Sequence, residues 1–164
     1  MPSIKGSEPR QIGVISDTHG LWRPEIVPVF RGVTLILHAG DVGGGGVIDA
    51  MCAIAPVEAV FGNVDDAADP ALARERSVTI DGVTIHLSHG HELGRPTAEL
   101  LLARYAGDVV IFGHTHRATL LRDRGGRLAI NPGAAGPRRF DIEPSVAILT
   151  IDRGRADAKI IWLA

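Results

Sequence analysis

Short apolar runs recur along the chain and predict the strands of a sheet. The runs are rich in valine and isoleucine, and each is followed within two residues by Gly, Asp, Asn or His. That order is typical of a buried strand that ends in a loop. The predicted strands cover residues 11–16, 33–38, 57–61, 83–88 and 108–112.

Helix-forming segments separate the early strands. Segments 24–30 and 47–55 alternate with strands, so the first part of the chain predicts a β-α-β-α-β unit with parallel strands and right-handed crossovers. A third helix is predicted over 96–105, because this segment opens with Pro96 and ends before Gly107.

The second half of the chain is richer in antiparallel pairs. Asp81-Gly82 is a tight-turn sequence, Arg124-Gly125-Gly126 joins a second pair of runs, and Asp152-Arg153-Gly154 separates the closing pair. The paired segments are 78–80 with 83–87, 118–121 with 127–130, and 145–151 with 158–163. Together these elements favour a mixed α/β sandwich of two sheets with the helices outside.

Composition narrows the classes of protein. The 164 residues are 45% apolar and 22% charged, with a net charge of −2. This favours one globular domain over residues 1–164 and argues against disorder and against stable nucleic-acid binding. No apolar run is long enough for a membrane span, and the first ten residues lack the apolar region of a secretory signal. We expect a soluble, cytoplasmic protein. Its single cysteine, Cys52, is expected to be buried on the apolar face of a helix.

A polar cluster follows each of the five apolar runs. In open α/β sheets, ligands gather outside the carboxyl ends of the strands, so these clusters are expected to form one site. Imidazole, carboxylate and amide groups without a thiolate suit Mn, Fe, Zn, Ni or Co in a catalytic centre. The clusters are Asp17-Thr18-His19, Gly40-Asp41, Gly62-Asn63, His89-Gly90-His91 and Gly113-His114-Thr115-His116.

The candidate ligands are too numerous for one ion. Seven groups suit two divalent ions about 3.5–4 Å apart that share a bridging carboxylate, for which we nominate Asp41. Two such ions bring +4 and two carboxylates −2, which leaves a charge of about +2 and favours a phosphate substrate. An extended backbone would aim both side chains of each i, i+2 pair the same way, although loop geometry can override this. The seven are Asp17, His19, Asp41, Asn63, His89, His114 and His116.

These blocks, in this order, resemble the calcineurin-like metallophosphoesterases. The resemblance spans residues 13–138, and the GNVD and INPGAAGPRR segments look most like the compact bacterial and archaeal phosphodiesterase subgroup. It implies a metallophosphatase-type α-β-β-α sandwich of two mixed sheets flanked by helices. It also implies two divalent transition-metal ions, with manganese favoured. By motif position, one ion would take Asp17, His19, Asp41 and His116, and the other Asp41, Asn63, His89 and His114.

The implied mechanism is in-line attack on phosphorus by a hydroxide held between the metals. Many relatives place a histidine after the Gly-Asn pair to protonate the leaving group, whereas this chain has Val64. Three explanations stay open: a good leaving group, a proton from His91 or from a metal-bound water, or slow turnover. We favour His91. Ala134 also replaces the usual serine, and Arg138 and Arg139 are candidate phosphate contacts.

For several residues, a structural role must be weighed against a functional one. His86 lies within a strand pattern and is expected to be structural. His38 is expected either to pack or to support Asp41 from behind, rather than to bind a metal directly. The 43–46 glycine run is either a phosphate cradle or, as we favour, a flexible turn. Arg138 and Arg139 are either substrate contacts or a solvated charge pair.

Two functions compete at this stage. The first is a two-metal phosphodiesterase acting on a small phosphate ester such as a nucleotide. The second is a catalytically weak protein-interaction scaffold on the same fold, similar to the retromer subunit, and Val64 is the feature that favours it. Whether chains pair into a homo-oligomer is left open by the sequence.

Overall fold

The computed structural model describes residues 8–163 and contains two five-stranded sheets. The first sheet contains β1 (Arg10–Ile15), β2 (Leu35–His38), β3 (Val57–Ala59), β9 (Ser145–Asp152) and β10 (Arg155–Trp162), in the spatial order β10-β9-β1-β2-β3. Strands β1, β2 and β3 are parallel, and β9 pairs antiparallel with both β1 and β10. The predicted parallel unit at the start of the chain is therefore confirmed.

The second sheet contains β4 (Glu75–Ile80), β5 (Val83–Ser88), β6 (Val109–Ile111), β7 (Thr119–Arg122) and β8 (Leu128–Asn131), in the order β4-β5-β6-β8-β7. The β4–β5 and β7–β8 hairpins are antiparallel, as predicted, while β6 is parallel to both neighbours. Asp81 and Gly82 both have positive φ (48° and 82°), the conformation that a two-residue hairpin turn requires. The closing hairpin of β9 and β10 is longer than predicted, because its strands already pair at Asp152 and Arg155. Arg153 and Gly154 alone form the two-residue turn between them, again with positive φ (53° and 77°).

Helices cover the outer face of each sheet. Helices α1 (Ile26–Val29) and α2 (Val47–Cys52) pack on the first sheet, and α3 (Ala98–Arg104) packs on the second. Alternation along β1 sends Ile12 and Val14 into the core between the sheets and Ile15 into the core under α1 and α2. The α-β-β-α sandwich of two mixed sheets is confirmed.

The helices are shorter than the sequence predicts. Pro28 has no N–H to bond Pro24 O, so residues 24 and 25 form a turn before α1, in which Ile26 N–H donates to Arg23 O (3.0 Å). At the end of α2, Ile54 N–H donates to Met51 O (2.9 Å), and this tighter i→i−3 turn ends the helix at Cys52. Thr97 is the N-cap of α3 and accepts a hydrogen bond from Leu100 N–H (3.1 Å), which places Pro96 just outside the helix.

The prediction that Cys52 is buried is wrong. Cys52 is exposed, whereas Val47 and Met51 of the same helix are buried. Each helical residue turns about 100° from the one before it, so Cys52 follows Met51 round to the outer side. Among residues 8–163, no helix has the length and apolarity needed to cross a membrane.

Backbone hydrogen bonds join the loops at one edge of the two sheets. Asp17 N–H donates to Gly40 O (2.9 Å), and Gly113 N–H donates to His89 O (3.0 Å). Gly136 N–H reaches across to Asp17 O (3.1 Å) and ties in the segment that follows β8. The loops that follow β1, β2, β5, β6 and β8 therefore meet at the edge where the sequence predicts a site.

Candidate metal centre

The structure brings all seven predicted ligand side chains to this edge. They fall into two groups in which one ligand atom of every His or Asp lies within 4.8 Å of the others. The first group comprises Asp17, His19, Asp41 and His116, and the second comprises Asp41, His89 and His114. Asp41 belongs to both groups.

The first group is compact enough to surround one cation. His116 Nε2 lies 3.2 Å from Asp17 Oδ1 and 3.3 Å from His19 Nε2. His19 Nε2 is also 3.7 Å from Asp41 Oδ2. Ligand atoms that share an ion at about 2.1 Å stand roughly 3–4 Å apart, so this spacing suits a divalent metal.

The second group includes the Asn63 amide oxygen. Asn63 Oδ1 lies 3.1 Å from His89 Nε2 and 3.2 Å from His114 Nδ1. His89 Nε2 is 3.3 Å from Asp41 Oδ2, the same oxygen that faces the first group. One carboxylate oxygen thus stands between the two sets of ligands.

One buried oxygen tests whether these residues suit a metal. Within residues 8–163, Asp17 Oδ1 is buried and has no hydrogen-bond partner, while Oδ2 accepts from Ser16 Oγ and from His114 N–H (3.1 Å). A buried carboxylate oxygen without a donor is costly. It is also the oxygen that faces the histidines of the first group, so a cation there would satisfy it. The residues fit a metal.

Local electrostatics keep the two carboxylates ionised. Burial would raise the pKa of Asp17, but the nearby imidazoles of His116 and His19 outweigh it and hold that pKa well below its usual range. The pKa of Asp41 is likewise lowered, because His89 and the Val64 N–H outweigh the effect of burial. Ionised carboxylates are the form that binds a metal.

Hydrogen bonds behind the ligands fix which atoms face the centre. The Nδ1 atom of His89 lies 2.8 Å from Ala39 O, an arrangement that directs Nε2 toward Asp41 and Asn63. Val64 N–H donates to Asp41 Oδ1 (3.0 Å) and leaves Oδ2 for the two ligand groups. Metal-binding histidines are commonly held by such a carbonyl contact on the other ring nitrogen.

Five of the ligands have a left-handed backbone. The extended geometry considered for the two i, i+2 pairs is therefore wrong, and loop geometry overrides it. Left-handed non-glycine residues cost about 1–3 kcal/mol each and cluster at functional sites. The five are Asp17 (φ 55°), His19 (47°), Asp41 (55°), His114 (72°) and His116 (65°).

His38 supports the centre from behind, in agreement with the sequence interpretation. Its Nδ1 accepts a hydrogen bond from Gly40 N–H (3.1 Å), so Nε2 carries the proton and donates to Thr18 Oγ1 (3.0 Å). Thr18 in turn donates to Val42 O (2.8 Å). Complete burial lowers the pKa of His38 to about 4, so the imidazole is neutral at physiological pH.

Asp65 has a role that the sequence analysis missed. Its carboxylate accepts hydrogen bonds from the N–H groups of Gly62 (2.9 Å), Val42 (3.0 Å) and Gly43 (2.9 Å). Asp65 therefore clamps the loop that carries Asn63 to the loop that carries Asp41. The signal was present in the GNVD segment, where the aspartate comes two residues after the ligand.

The comparison with known proteins identifies the family. Residues 11–154 match the family model described as the calcineurin-like phosphoesterase superfamily domain. The chain belongs to this superfamily. It is 38% identical over 160 residues to a probable metallophosphoesterase of Methanothermobacter thermautotrophicus, covering 92% of this chain and 91% of the relative. It is 34% identical over 160 residues to a probable metallophosphoesterase of Methanocaldococcus jannaschii, covering 92% and 80%.

Solved structures confirm the superfamily fold. Vacuolar protein sorting 29 (Vps29) of Cryptosporidium parvum has a TM-score of 0.77 at 20% identity, covering 95% of this chain and 98% of that one. Wild-type Vps29 of Entamoeba histolytica, solved in complex with zinc, has a TM-score of 0.70 at 23% identity, covering 94% and 99%.

His91 lies beside the second ligand group. Its ring centroid is 5.3 Å from that of His89 and 6.4 Å from that of His114. Its Nδ1 is buried and, among residues 8–163, makes no hydrogen bond. His91 opens a short 3-10 helix (His91–Leu93) that the sequence did not predict.

His86 lies apart from the centre, as the sequence suggested. Its ring stacks on Tyr105 with centroids 3.9 Å apart, and Nε2 is 3.2 Å from Ser88 Oγ. The glycines over 43–46 all have positive φ, and the Gly43 N–H is already bound to Asp65. The structure thus gives the glycine run a turn geometry and uses one of its amides for the Asp65 clamp.

Arg138 and Arg139 are exposed at the margin of the centre. Together with His116 they line a small cavity beside the first ligand group. Neither arginine makes an ion pair within the part of the chain that the structure describes. Their position is compatible with contact to an anionic group near His116.

Proposed function

We propose that this member of the phosphoesterase superfamily is a phosphodiesterase that uses two divalent metal ions, with Mn²⁺ favoured. The observation that carries the proposal is the pair of ligand groups that share Asp41, together with the buried Asp17 Oδ1, which accepts no hydrogen bond from residues 8–163. The zinc complex of Entamoeba histolytica Vps29 supports metal binding on this fold. The preference for diesters rests on the resemblance of the motif blocks to the compact phosphodiesterase subgroup.

The ligand assignment follows the two groups. Asp17, His19, Asp41 and His116 would hold one ion, and Asp41, Asn63, His89 and His114 would hold the other. When bound, two such ions supply positive charge for the phosphoryl oxygens and lower the pKa of an attacking water. Because Asn63 is neutral, it adds a ligand without cancelling the charge that attracts phosphate.

Side chains of this protein contact the phosphate group and donate the proton to the leaving group. Arg138 and Arg139 contact the phosphate group at the margin near His116. His91 is the proton donor to the leaving group. Val64 has no proton to give. The carboxylates of Asp65 and Asp66 act as acceptors, because all four of their hydrogen bonds come from backbone N–H groups.

Metal-dependent ester hydrolysis tests the proposal. Protein stripped with a chelator and reloaded with Mn²⁺ should hydrolyse bis(p-nitrophenyl) phosphate faster than p-nitrophenyl phosphate. Asp41→Asn and His114→Ala should each lower kcat/KM by about 100-fold or more, because each removes a ligand of the shared centre. Asp66→Asn is the control, since this exposed carboxylate only accepts from Ala68 N–H (2.9 Å).

Two outcomes would contradict the proposal. The first is hydrolysis that survives both chelation and the Asp41→Asn change. The second is protein that binds metal yet turns over neither ester with Mn²⁺, Ni²⁺ or Zn²⁺. The second result would favour the alternative, a catalytically weak interaction scaffold, for which the supporting feature is Val64, 53% exposed beside the metal ligands.

A further inference from the structure

A cavity of about 410 Å³ lies beside the candidate centre. It is lined by Arg117, Ala118, Asp141, Ile142, Glu143 and Trp162. Ala118 precedes β7, and Trp162 is the last residue of β10, so the cavity lies where an edge strand of one sheet approaches an edge strand of the other. Its volume is within the range of small-molecule sites.

The cavity adjoins a smaller cavity at the margin of the metal centre. Arg117 directly follows His116 in the chain. The smaller cavity that His116, Arg138 and Arg139 line shares Ile142 and Glu143 with the larger one. A substrate held by its phosphate at His116 therefore has space for an organic group on this side.

The lining of this cavity combines an exposed aromatic side chain with charged side chains. Trp162 is 54% exposed, although a large aromatic side chain gains most from burial. Within residues 8–163, the side chains of Arg117, Asp141 and Glu143 make no ion pair or side-chain hydrogen bond. An aromatic face, one guanidinium and two carboxylates are thus left free around one cavity.

The geometry points to a nucleoside subsite in this cavity, an inference that rests on the proposed phosphodiesterase function. A nucleobase stacks on Trp162, and Asp141 and Glu143 accept hydrogen bonds from the amino group of a base such as adenine. The two carboxylates repel a second phosphate, so the substrate class is a nucleoside phosphodiester with one phosphoryl group at the metals. Arg117 stacks on the base or donates to it.

A ratio of two esters measures the subsite. The ratio of kcat/KM for adenosine 5′-(p-nitrophenyl phosphate) to that for methyl p-nitrophenyl phosphate should exceed tenfold in the wild-type protein. Trp162→Ala should lower this ratio at least tenfold, while Trp162→Phe should keep most of it, because phenylalanine retains an aromatic face. Leu100→Ala, which changes an exposed residue of α3, should keep the wild-type ratio.

A binding measurement separates this inference from the proposed function. Adenosine has no phosphate, so its titration followed by NMR at the Trp162 indole N–H, assigned with Trp162→Phe, needs no hydrolysis. A shift of that resonance without turnover of any ester supports the subsite and contradicts the phosphodiesterase. Turnover with an unchanged ratio in Trp162→Ala, or an indole resonance that adenosine does not move, overturns the subsite.

Discussion

The metal-ligand residues hold a strained backbone that their neighbours stabilise. Asp17 and Asp41 are left-handed, with φ of 55° each. Hydrogen bonds from Asp17 N–H to Gly40 O (2.9 Å) and from His19 N–H to Asp41 O (3.0 Å) lock the two loops together in that conformation. Because the loops are fixed before any ion arrives, the ligands are preorganised and little ordering is left for the binding step.

Gly62 permits the close approach of the Asp41 and Asn63 loops. A Cβ on Gly62 would stand 2.1 Å from Asp41 Oδ1 and 2.4 Å from Asp41 N. Gly62→Ala must therefore push Asp41 away, and we expect a loss of about 1–3 kcal/mol in the free energy of unfolding together with loss of Mn²⁺ binding. Urea denaturation and isothermal titration calorimetry measure the two effects.

Gly126→Ala is the matched control. Unlike Gly62, Gly126 has a positive φ (86°), and a Cβ there would have open space around it. This variant should lose only about 1 kcal/mol through backbone strain and should bind Mn²⁺ as the wild-type protein does. Unchanged Mn²⁺ affinity in Gly62→Ala would show that the approach of the two loops is not needed.

His38 should make the metal-free protein sensitive to acid. Its pKa is near 6.5 when unfolded and about 4 in the folded protein, where the imidazole is completely buried. Between these values the unfolded chain binds a proton that the folded chain excludes, so stability is fully present above pH 6.5 and is lost as the pH falls. The free energy of unfolding should drop by about 2 kcal/mol from pH 7 to pH 5 through this group.

His38→Asn isolates that contribution. The asparagine oxygen can still accept from Gly40 N–H but does not titrate. In chelated protein, urea denaturation gives the free energy of unfolding at pH 7 and at pH 5. The decrease in this free energy between the two pH values should be about 2 kcal/mol smaller for His38→Asn than for the wild-type chain. An equal drop in both proteins would assign the acid sensitivity to other groups.

At the scale of elements, each ligand comes from a loop that follows a strand. The loops after β2 and β3 are joined by the Asp65 carboxylate, which accepts from three backbone N–H groups. Asp65 thus sets the spacing between Asp41 and Asn63 without facing the metal groups itself. Residues behind metal ligands typically change metal affinity by about 10–100-fold.

Asp65→Asn should weaken Mn²⁺ binding by about 10–100-fold, because an amide has one acceptor oxygen where three N–H groups need partners. Asp66→Asn is the neighbouring control and should keep the wild-type affinity, since Asp66 accepts only from Ala68 N–H. Isothermal titration calorimetry of chelated protein measures both. Equal affinities for the two variants would contradict the clamp.

The central strands could be predicted from the sequence because their residues are buried on both faces. Val109–Ile111, for example, is a continuous apolar run with helix α3 on one side and the other sheet across the core. The ligand residues could be predicted because the carboxyl ends of parallel strands meet at one edge of a sheet, and ligand-binding residues gather there. The exposure of Cys52, the short helices and the left-handed ligands depend on packing and loop contacts that no local pattern carries.

At the scale of the molecule, the packing of the two sheets brings together metal ligands that lie far apart in the chain. His19 and His116 are separated by 97 residues, yet their Nε2 atoms are 3.3 Å apart. His19 follows a strand of the first sheet and His116 follows a strand of the second, so the packing of the two sheets determines the ligand geometry. Metal binding should therefore stabilise the whole fold.

Metal stoichiometry tests the central claim most directly. Chelated protein dialysed against Mn²⁺ and measured by mass spectrometry should hold two ions per chain. His116→Ala and His114→Ala should each hold one, because they belong to different ligand groups, and Asp41→Asn should weaken both sites. A wild-type chain that binds no Mn²⁺, Ni²⁺ or Zn²⁺, or that binds one ion lost equally in both histidine variants, would contradict a centre of two metals.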